Sequence, residues 1–170
     1  MKSSGKSALE IVVGQLLKRR GLTLAVAESC TGGLVSHRIT DAPGSSAYYQ
    51  GAVVSYSNEI KGCILHVRRD TLERYGAVSE QVAREMAQGV RGVLRSNIGL
   101  AVTGVAGPDG GTPEKPVGLV YIALAAQGGV WVERHVWQSE EGDHLTRWEN
   151  KARSAEAVLD LLRRYLEEQL

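Results

Sequence analysis

The run Ala27-Glu28-Ser29-Cys30-Thr31-Gly32-Gly33 packs a carboxylate, two hydroxyls and a thiol into four successive positions ahead of a glycine pair. A serine in such a run is a nucleophile when a base stands within hydrogen-bond reach, and a helix cap when none does. Read alone, Ser29 or Thr31 as an N-cap is the simpler reading, because capping is the commoner use of these residues. The segment Tyr56-Ser57-Asn58-Glu59-Ile60-Lys61 offers a base, since Lys61 stands among Ile60, Cys63, Ile64 and Leu65. A lysine at its ordinary pKa of about 10.4 is less than ~0.1% neutral at pH 7, so it accepts protons only where its surroundings lower that value. On its own, a surface cation is the simpler reading of Lys61. A third segment, Thr103-Gly104-Val105-Ala106-Gly107-Pro108-Asp109-Gly110-Gly111-Thr112, follows an apolar run and precedes Glu114-Lys115-Pro116. Its glycines let backbone amides approach a phosphate or carboxylate closely, and we read it as a ligand-binding loop.

Other chemical signals fail on spacing. Gly5-Lys6-Ser7 imitates the end of a phosphate-binding loop but lacks the upstream glycine and a preceding strand. Glycines 104, 107 and 110 do not satisfy GxGxxG, so no dinucleotide fingerprint is present. His37, His66, His135 and His144 show no metal-ligand spacing, and no metal site is expected. Glu140, Glu141 and Asp143 read as a solvated turn, with paired acid and base carboxylates as the alternative.

The elements that must position these segments follow from apolar periodicity. Ser7 and Glu10 read as a capping box for a first helix carrying Leu9, Val12, Val13, Leu16 and Leu17, stopped at Gly21. Leu22 to Ala27 is apolar except for Thr23, as in a strand covered on both faces. A short helix is expected from Gly33 to Thr40, then a break at Pro43-Gly44-Ser45-Ser46 and a second strand from Gly51 to Tyr56. Ser79 reads as the N-cap of a helix with Val82, Ala83, Met86, Ala87, Val90, Val93 and Leu94 on one face. Strands are expected at Ile98–Val105, Val117–Ala126 and Val130–Trp137, the last two forming a hairpin through Gly128-Gly129. A closing helix carries Ala155, Val158, Leu159, Leu162, Tyr165 and Leu166. The pattern predicts an α/β fold: a three-layer α/β/α sandwich with a mixed, mostly parallel sheet of about five strands and one antiparallel member. In such sheets ligands bind beyond the carboxyl ends of the strands, where all three polar segments fall.

The chain has 170 residues, which predicts a single domain over 1–170 able to bury roughly 70% of its unfolded surface. Lys and Arg number 20 against 19 Asp and Glu, so there is no basic footprint for direct nucleic-acid binding. No apolar run approaches the roughly 20 residues that span a bilayer, so no membrane partner is expected. Cys30 and Cys63 form no CxxC pair, and no hydrophobic signal segment lies near Met1, so the cytoplasm is the expected compartment.

Five motifs in order, Ala27–Gly33, Pro43-Gly44-Ser45-Ser46, Tyr56-Ser57-Asn58-Glu59 with Lys61, Tyr75-Gly76-Ala77-Val78-Ser79-Glu80, and Thr103–Gly111 through Glu114-Lys115-Pro116-Val117-Gly118, carry a resemblance. Across nearly the whole chain they resemble the CinA family, specifically its C-terminal domain and the stand-alone nicotinamide mononucleotide deamidases. The resemblance implies hydrolysis of the amide of nicotinamide mononucleotide to nicotinate mononucleotide and ammonia, without a cofactor. It implies Ser29 as nucleophile, Lys61 as its base and Tyr56 as a third catalytic member. Set at a helix N-terminus, Ser29 would then have an oxyanion site beside it, and the same field would help keep Lys61 neutral. Thr31, Gly32, Gly33, Ser46, Asn58, Thr103, Gly104, Gly107, Pro108, Asp109, Gly110 and Gly111 are implied to hold the nucleotide, and Arg147 to pair with its phosphate or carboxamide. The family places an Asp-Arg pair before its final helix, whereas His144-Leu145-Thr146 separates Asp143 from Arg147 here. Either Arg147 keeps the role, or His144 stands in the arginine's place. A homodimer is the family-based expectation. A non-catalytic nucleotide-binding sensor or assembly module is the alternative function. It needs the glycine loop but not Ser29 and Lys61 together. The family's competence and damage label also suggests a DNA-associated factor, which the charge balance disfavours.

Overall fold

A computed structural model describes residues 8–140 and 142–168. The elements run α1 (Leu9–Arg20), β1 (Leu24–Glu28), α2 (Leu34–Asp41), a 3-10 turn (Ser45–Ala47), β2 (Tyr49–Val54), α3 (Asn58–Leu65) and α4 (Arg69–Tyr75). They continue with α5 (Glu80–Val93), β3 (Ile98–Gly104), β4 (Leu119–Ala126), β5 (Gly129–Val136) and α6 (Arg147–Leu166). The sheet order is β2-β1-β3-β4-β5, with β1 parallel to β2 and β3, and β4 antiparallel to both β3 and β5. Thus β4 alone runs against the other strands, as the late hairpin implied.

The two sheet faces differ in side-chain size, and that difference sets the layers. Leu24, Val26, Ile98, Leu100, Val102, Val120, Ile122 and Leu124 form a large-residue face beneath α1, α2 and α6. The opposite face is Ala25, Ala27, Ala101, Ala123 and Ala125, packed under α5 and the end of α3. Small residues let α5 lie close to the strands, and a Cβ on Gly99 would collide with the Ala87 carbonyl. β1, paired on both sides by β2 and β3, is buried along its whole length.

Several expected boundaries move. β1 extends to Glu28, a carboxylate residue with no exposed surface, and β2 ends at Val54, so Tyr56 lies in the turn beyond the strand. Ser7 of the expected capping box lies outside the described residues. Ala8 occupies the N-cap of α1, and Glu10 instead pairs with Arg38 at 2.7 Å. Gly21 caps α1 at φ 63, and Ser79 caps α5, as expected. α3 and α4 fill a stretch that the periodicity left unassigned. α6 begins at Arg147, where a Thr146–Glu149 capping box starts it. No described helix is long and apolar enough to cross a membrane.

Candidate active site

β1, β2 and β3 point their carboxyl ends toward one rim of the sheet, which gathers Ser29 and Tyr56 from the turns after β1 and β2 with Gly104, the last residue of β3. Ser29 continues the β1–β3 pairing by one residue, its N–H donating to the Val102 carbonyl at 3.0 Å. α3 starts at Ser57, whose hydroxyl accepts from the Ile60 N–H, and the helix then turns Lys61 back beneath the rim. The Lys61 side chain is enclosed, with 1% of the residue exposed. Its Nζ lies 3.0 Å from Ser29 Oγ, 2.7 Å from the Ser55 carbonyl and 3.4 Å from the Tyr56 carbonyl.

That triangle has a specific chemical meaning. A neutral amine has two N–H donors and one lone pair, so the two carbonyls can take the donors and leave the lone pair for the Ser29 O–H. Burial lowers the Lys61 pKa from its ordinary value. Burial also pushes the neighbouring Cys30 thiol up to about 12, so Cys30 stays uncharged near neutrality and supplies no anion to hold an ammonium on Lys61.

The turn after β1 departs from the capping expected of it. Neither Ser29 nor Thr31 caps α2. Its N-cap is Gly33, at φ 103, and the cap bonds come from Glu28. Glu28 Oε2 accepts from the N–H groups of Gly33 (2.9 Å) and Val35 (3.1 Å). Glu28 Oε1 accepts from the Ser36 N–H (2.8 Å) and hydroxyl (2.6 Å). The free helix N-terminus expected beside Ser29 is therefore occupied by the protein's own carboxylate. Gly32 N–H is likewise used, donating to the Ser29 carbonyl at 3.1 Å. From Ser29 to Ser36, only the N–H groups of Cys30 and Thr31 donate to no oxygen among the described residues.

A cavity of about 200 Å³ opens onto the pair, walled by Ser29, Cys30, Tyr56, Lys61, Ala77, Val78, Thr103, Gly104, Ala106 and Arg147. Arg147, the first residue of α6, straps it. One guanidinium nitrogen donates to the Gly107 carbonyl at 2.6 Å and another to the Tyr56 hydroxyl at 2.9 Å. Thr103 Oγ donates to the Ala77 carbonyl at 2.8 Å, fixing that wall to β3.

Of the residues singled out from the sequence, the structure brings Ser29, Lys61, Tyr56, Thr103, Gly104 and Arg147 to this cavity. Thr31 is buried under the turn with its hydroxyl unpartnered, and Gly32 and Gly33 form the outer side of that turn. Gly107 joins through its carbonyl. Pro108, Asp109, Gly110 and Gly111 line a separate cleft of about 530 Å³ with His144, so Arg147, not His144, stands at the cavity. Asn58 faces away, into a cleft of about 790 Å³ between α3 and α4 that includes neither Ser29 nor Lys61. Ser46 lies in the 3-10 turn before β2, at the opposite end of the sheet, because β2 enters there and leaves at the rim. The carbonyls of Ser55 and Tyr56, the cap role of Glu28, and the walls Ala77, Val78 and Ala106 carry no signal in residue type.

Residues 6–166 match the family model described as the CinA C-terminal domain. The chain is 52% identical over 156 residues to a CinA-like protein of Syntrophomonas wolfei, covering 91% of this chain and 36% of that relative. It is 54% identical over 124 residues to a CinA-like protein of Dictyoglomus thermophilum, covering 73% of this chain and 30% of that relative. The chain thus spans about a third of the length of the curated relatives it matches. Among solved structures, it is similar to the competence/damage inducible protein CihA of Agrobacterium tumefaciens, with a TM-score of 0.86 and 36% identity over 97% of this chain and 99% of that one. A CinA superfamily protein of Klebsiella pneumoniae gives a TM-score of 0.87 and 31% identity, over 94% of this chain and 96% of that one.

Proposed function

The chain belongs to the CinA C-terminal domain family, and from that membership and the buried Ser29–Lys61 pair we propose that it is a Ser/Lys amidohydrolase. Its substrate in this reading is nicotinamide mononucleotide, hydrolysed to nicotinate mononucleotide and ammonia. The observation that carries it is the 3.0 Å contact between Lys61 Nζ and Ser29 Oγ with the lysine enclosed. A surface cation would reach for water, whereas this amine is held by two carbonyls with its remaining valence aimed at a hydroxyl.

Neutral Lys61 takes the Ser29 proton as Oγ bonds to the carboxamide carbon, giving a tetrahedral oxyanion. The N–H groups of Cys30 and Thr31 are the donors left to stabilise that charge. The Lys61 ammonium then protonates the departing nitrogen, ammonia leaves, and Ser29 carries the nicotinoyl ester. Water attacks the ester as Lys61 accepts its proton, and the returning proton restores the Ser29 hydroxyl as nicotinate departs. Arg147 holds the Tyr56 ring against this chemistry through the phenol hydroxyl. No step calls for a metal. Among the described residues no group of three or more His, Cys, Asp or Glu is placed to hold one.

The test is ammonia release from nicotinamide mononucleotide and from free nicotinamide, with Ser29→Ala as the control. Release from the nucleotide, little from nicotinamide and none with Ser29→Ala is the expected pattern. A folded protein that releases no ammonia from the nucleotide defeats the proposal.

A further inference from the structure

The cavity of about 200 Å³ is smaller than the ~300 Å³ at which pockets for whole drug-sized ligands begin, a size that suits the pyridine carboxamide end of a nucleotide and leaves its phosphate to be placed outside. This inference rests on the amidase reading and asks where the phosphate lies. Two obvious anchors are taken. Glu28 fills the N-terminus of α2 and puts a carboxylate where a phosphate would otherwise bind. The Arg147 guanidinium spans Gly107 and Tyr56 within the cavity wall.

We propose that Lys151, lying over the Gly32–Gly33 turn, is the phosphate-binding cation. It follows Arg147 by four residues on α6, so the two side chains share one face of the helix. Its Nζ lies 3.8 Å from the point a Cβ on Gly32 would occupy, and among the described residues it has neither an ion pair nor a hydrogen bond. Gly32 has φ 61, and a Cβ on Gly33 would meet no atom within 4 Å, so the outer side of the turn is open beside the ammonium. The turn is also near the chemistry. The Gly32-to-Ser29 hydrogen bond closes a four-residue turn whose end Cα atoms lie within about 7 Å of each other. A substrate with its carboxamide at Ser29 and its ribose leaving past this turn brings its phosphate to Lys151. A lysine acts there as a point charge, without needing the free N–H groups that Glu28 has consumed.

The decisive quantity is the ratio of kcat/KM for nicotinamide mononucleotide over nicotinamide riboside, which differ only in the phosphate. Lys151→Ala is expected to lower that ratio by about tenfold to a hundredfold, the worth of a charge-assisted bond, with Lys151→Arg restoring most of it. A ratio within twofold of the parent protein's overturns the assignment, as does an equal fall produced by His144→Ala while Lys151→Ala is silent. Titration of the full chain with ribose 5-phosphate separates this proposal from the amidase reading. If no ammonia is released from either substrate, binding of ribose 5-phosphate that Lys151→Ala weakens at least tenfold still supports the subsite. Binding that is absent, or indifferent to the substitution, overturns it.

Discussion

Replacing Glu28 by glutamine tests how the nucleophile-bearing turn is held. The four donors to Glu28 divide evenly, Gly33 N–H and Val35 N–H on one oxygen, Ser36 N–H and Ser36 hydroxyl on the other. Glutamine keeps one oxygen and turns the other into a donor. With its nitrogen toward Gly33 and Val35, two N–H groups are confronted. With its nitrogen toward Ser36, only one is, because that hydroxyl can reverse and accept, as it already does from the Tyr49 hydroxyl at 2.8 Å. The second orientation wins. It loses the charge assistance and leaves one backbone N–H unsatisfied, a cost of about 2–4 kcal/mol when a bond to a charged group is worth ~1.5–3 and an unmade buried bond ~1–3. A domain of this size loses about 2–4 °C of Tm per kcal/mol, so Glu28→Gln is expected to unfold about 4–16 °C lower. Ser29 directly follows Glu28, so ammonia release should fall even well below the new Tm. Circular dichroism melts and the ammonia assay, run on both proteins, measure the two effects. A Tm shift under about 2 °C would refute the claim that this carboxylate holds the start of α2.

Lys61→Arg is expected to abolish turnover as completely as Lys61→Ala, since an arginine stays protonated and cannot accept the Ser29 proton. Near-normal turnover would make Lys61 an electrostatic anchor and send the search for a base to Tyr56. Turnover should rise with pH along one limb lying below the ordinary lysine range, because burial lowers the Lys61 pKa and only the neutral amine is active. The same shift has a stability sign. The unfolded chain holds that proton more tightly, so the penalty of burying Lys61 is greatest below its folded pKa and fades as pH rises toward about 10.4. A pH-independent rate would contradict the first statement, and an unfolding free energy that does not rise between neutral pH and about 10.4 would contradict the second. Cys30→Ala should keep most of its turnover, because a thiol held to about 12 is not a thiolate near neutrality. A thousandfold loss with a trapped thioester would move the nucleophile to Cys30. Chelators should leave activity intact, and a loss reversed by one metal would show that the histidines had been misread.

What could be read from the chain beforehand was whatever repeats at short range. β1 was legible because a strand buried on both faces is a continuous apolar run, and α5 because Val82, Ala83, Met86, Ala87 and Val90 recur on one helical face. α3 and α4 were not, because α3 buries only Lys61 and Leu65, and α4 only Thr71, which leaves no apolar period to detect. Their helicity comes from the Ser57 cap and from packing on α5, contacts that no local window contains. The site divides in the same way. The type and place of Ser29 invited a nucleophile reading, yet a cap was the simpler one, and the alternative cap, Glu28, reaches five to eight residues ahead rather than the usual three. Lys61 looked like a surface cation because nothing in its own sequence removes its water. The Ser55 and Tyr56 carbonyls beyond β2 and the Ser29 hydroxyl beyond β1 do that, from segments that meet only after the sheet has formed. A backbone carbonyl has no residue type to betray it. The reactive pair therefore depends on positions where substitution changes no acceptor, and Ser55 is one of them. Its carbonyl, not its hydroxyl, holds the amine, so Ser55→Ala should leave the Lys61 geometry intact, whereas any change that redirects the backbone after Val54 should disarm it.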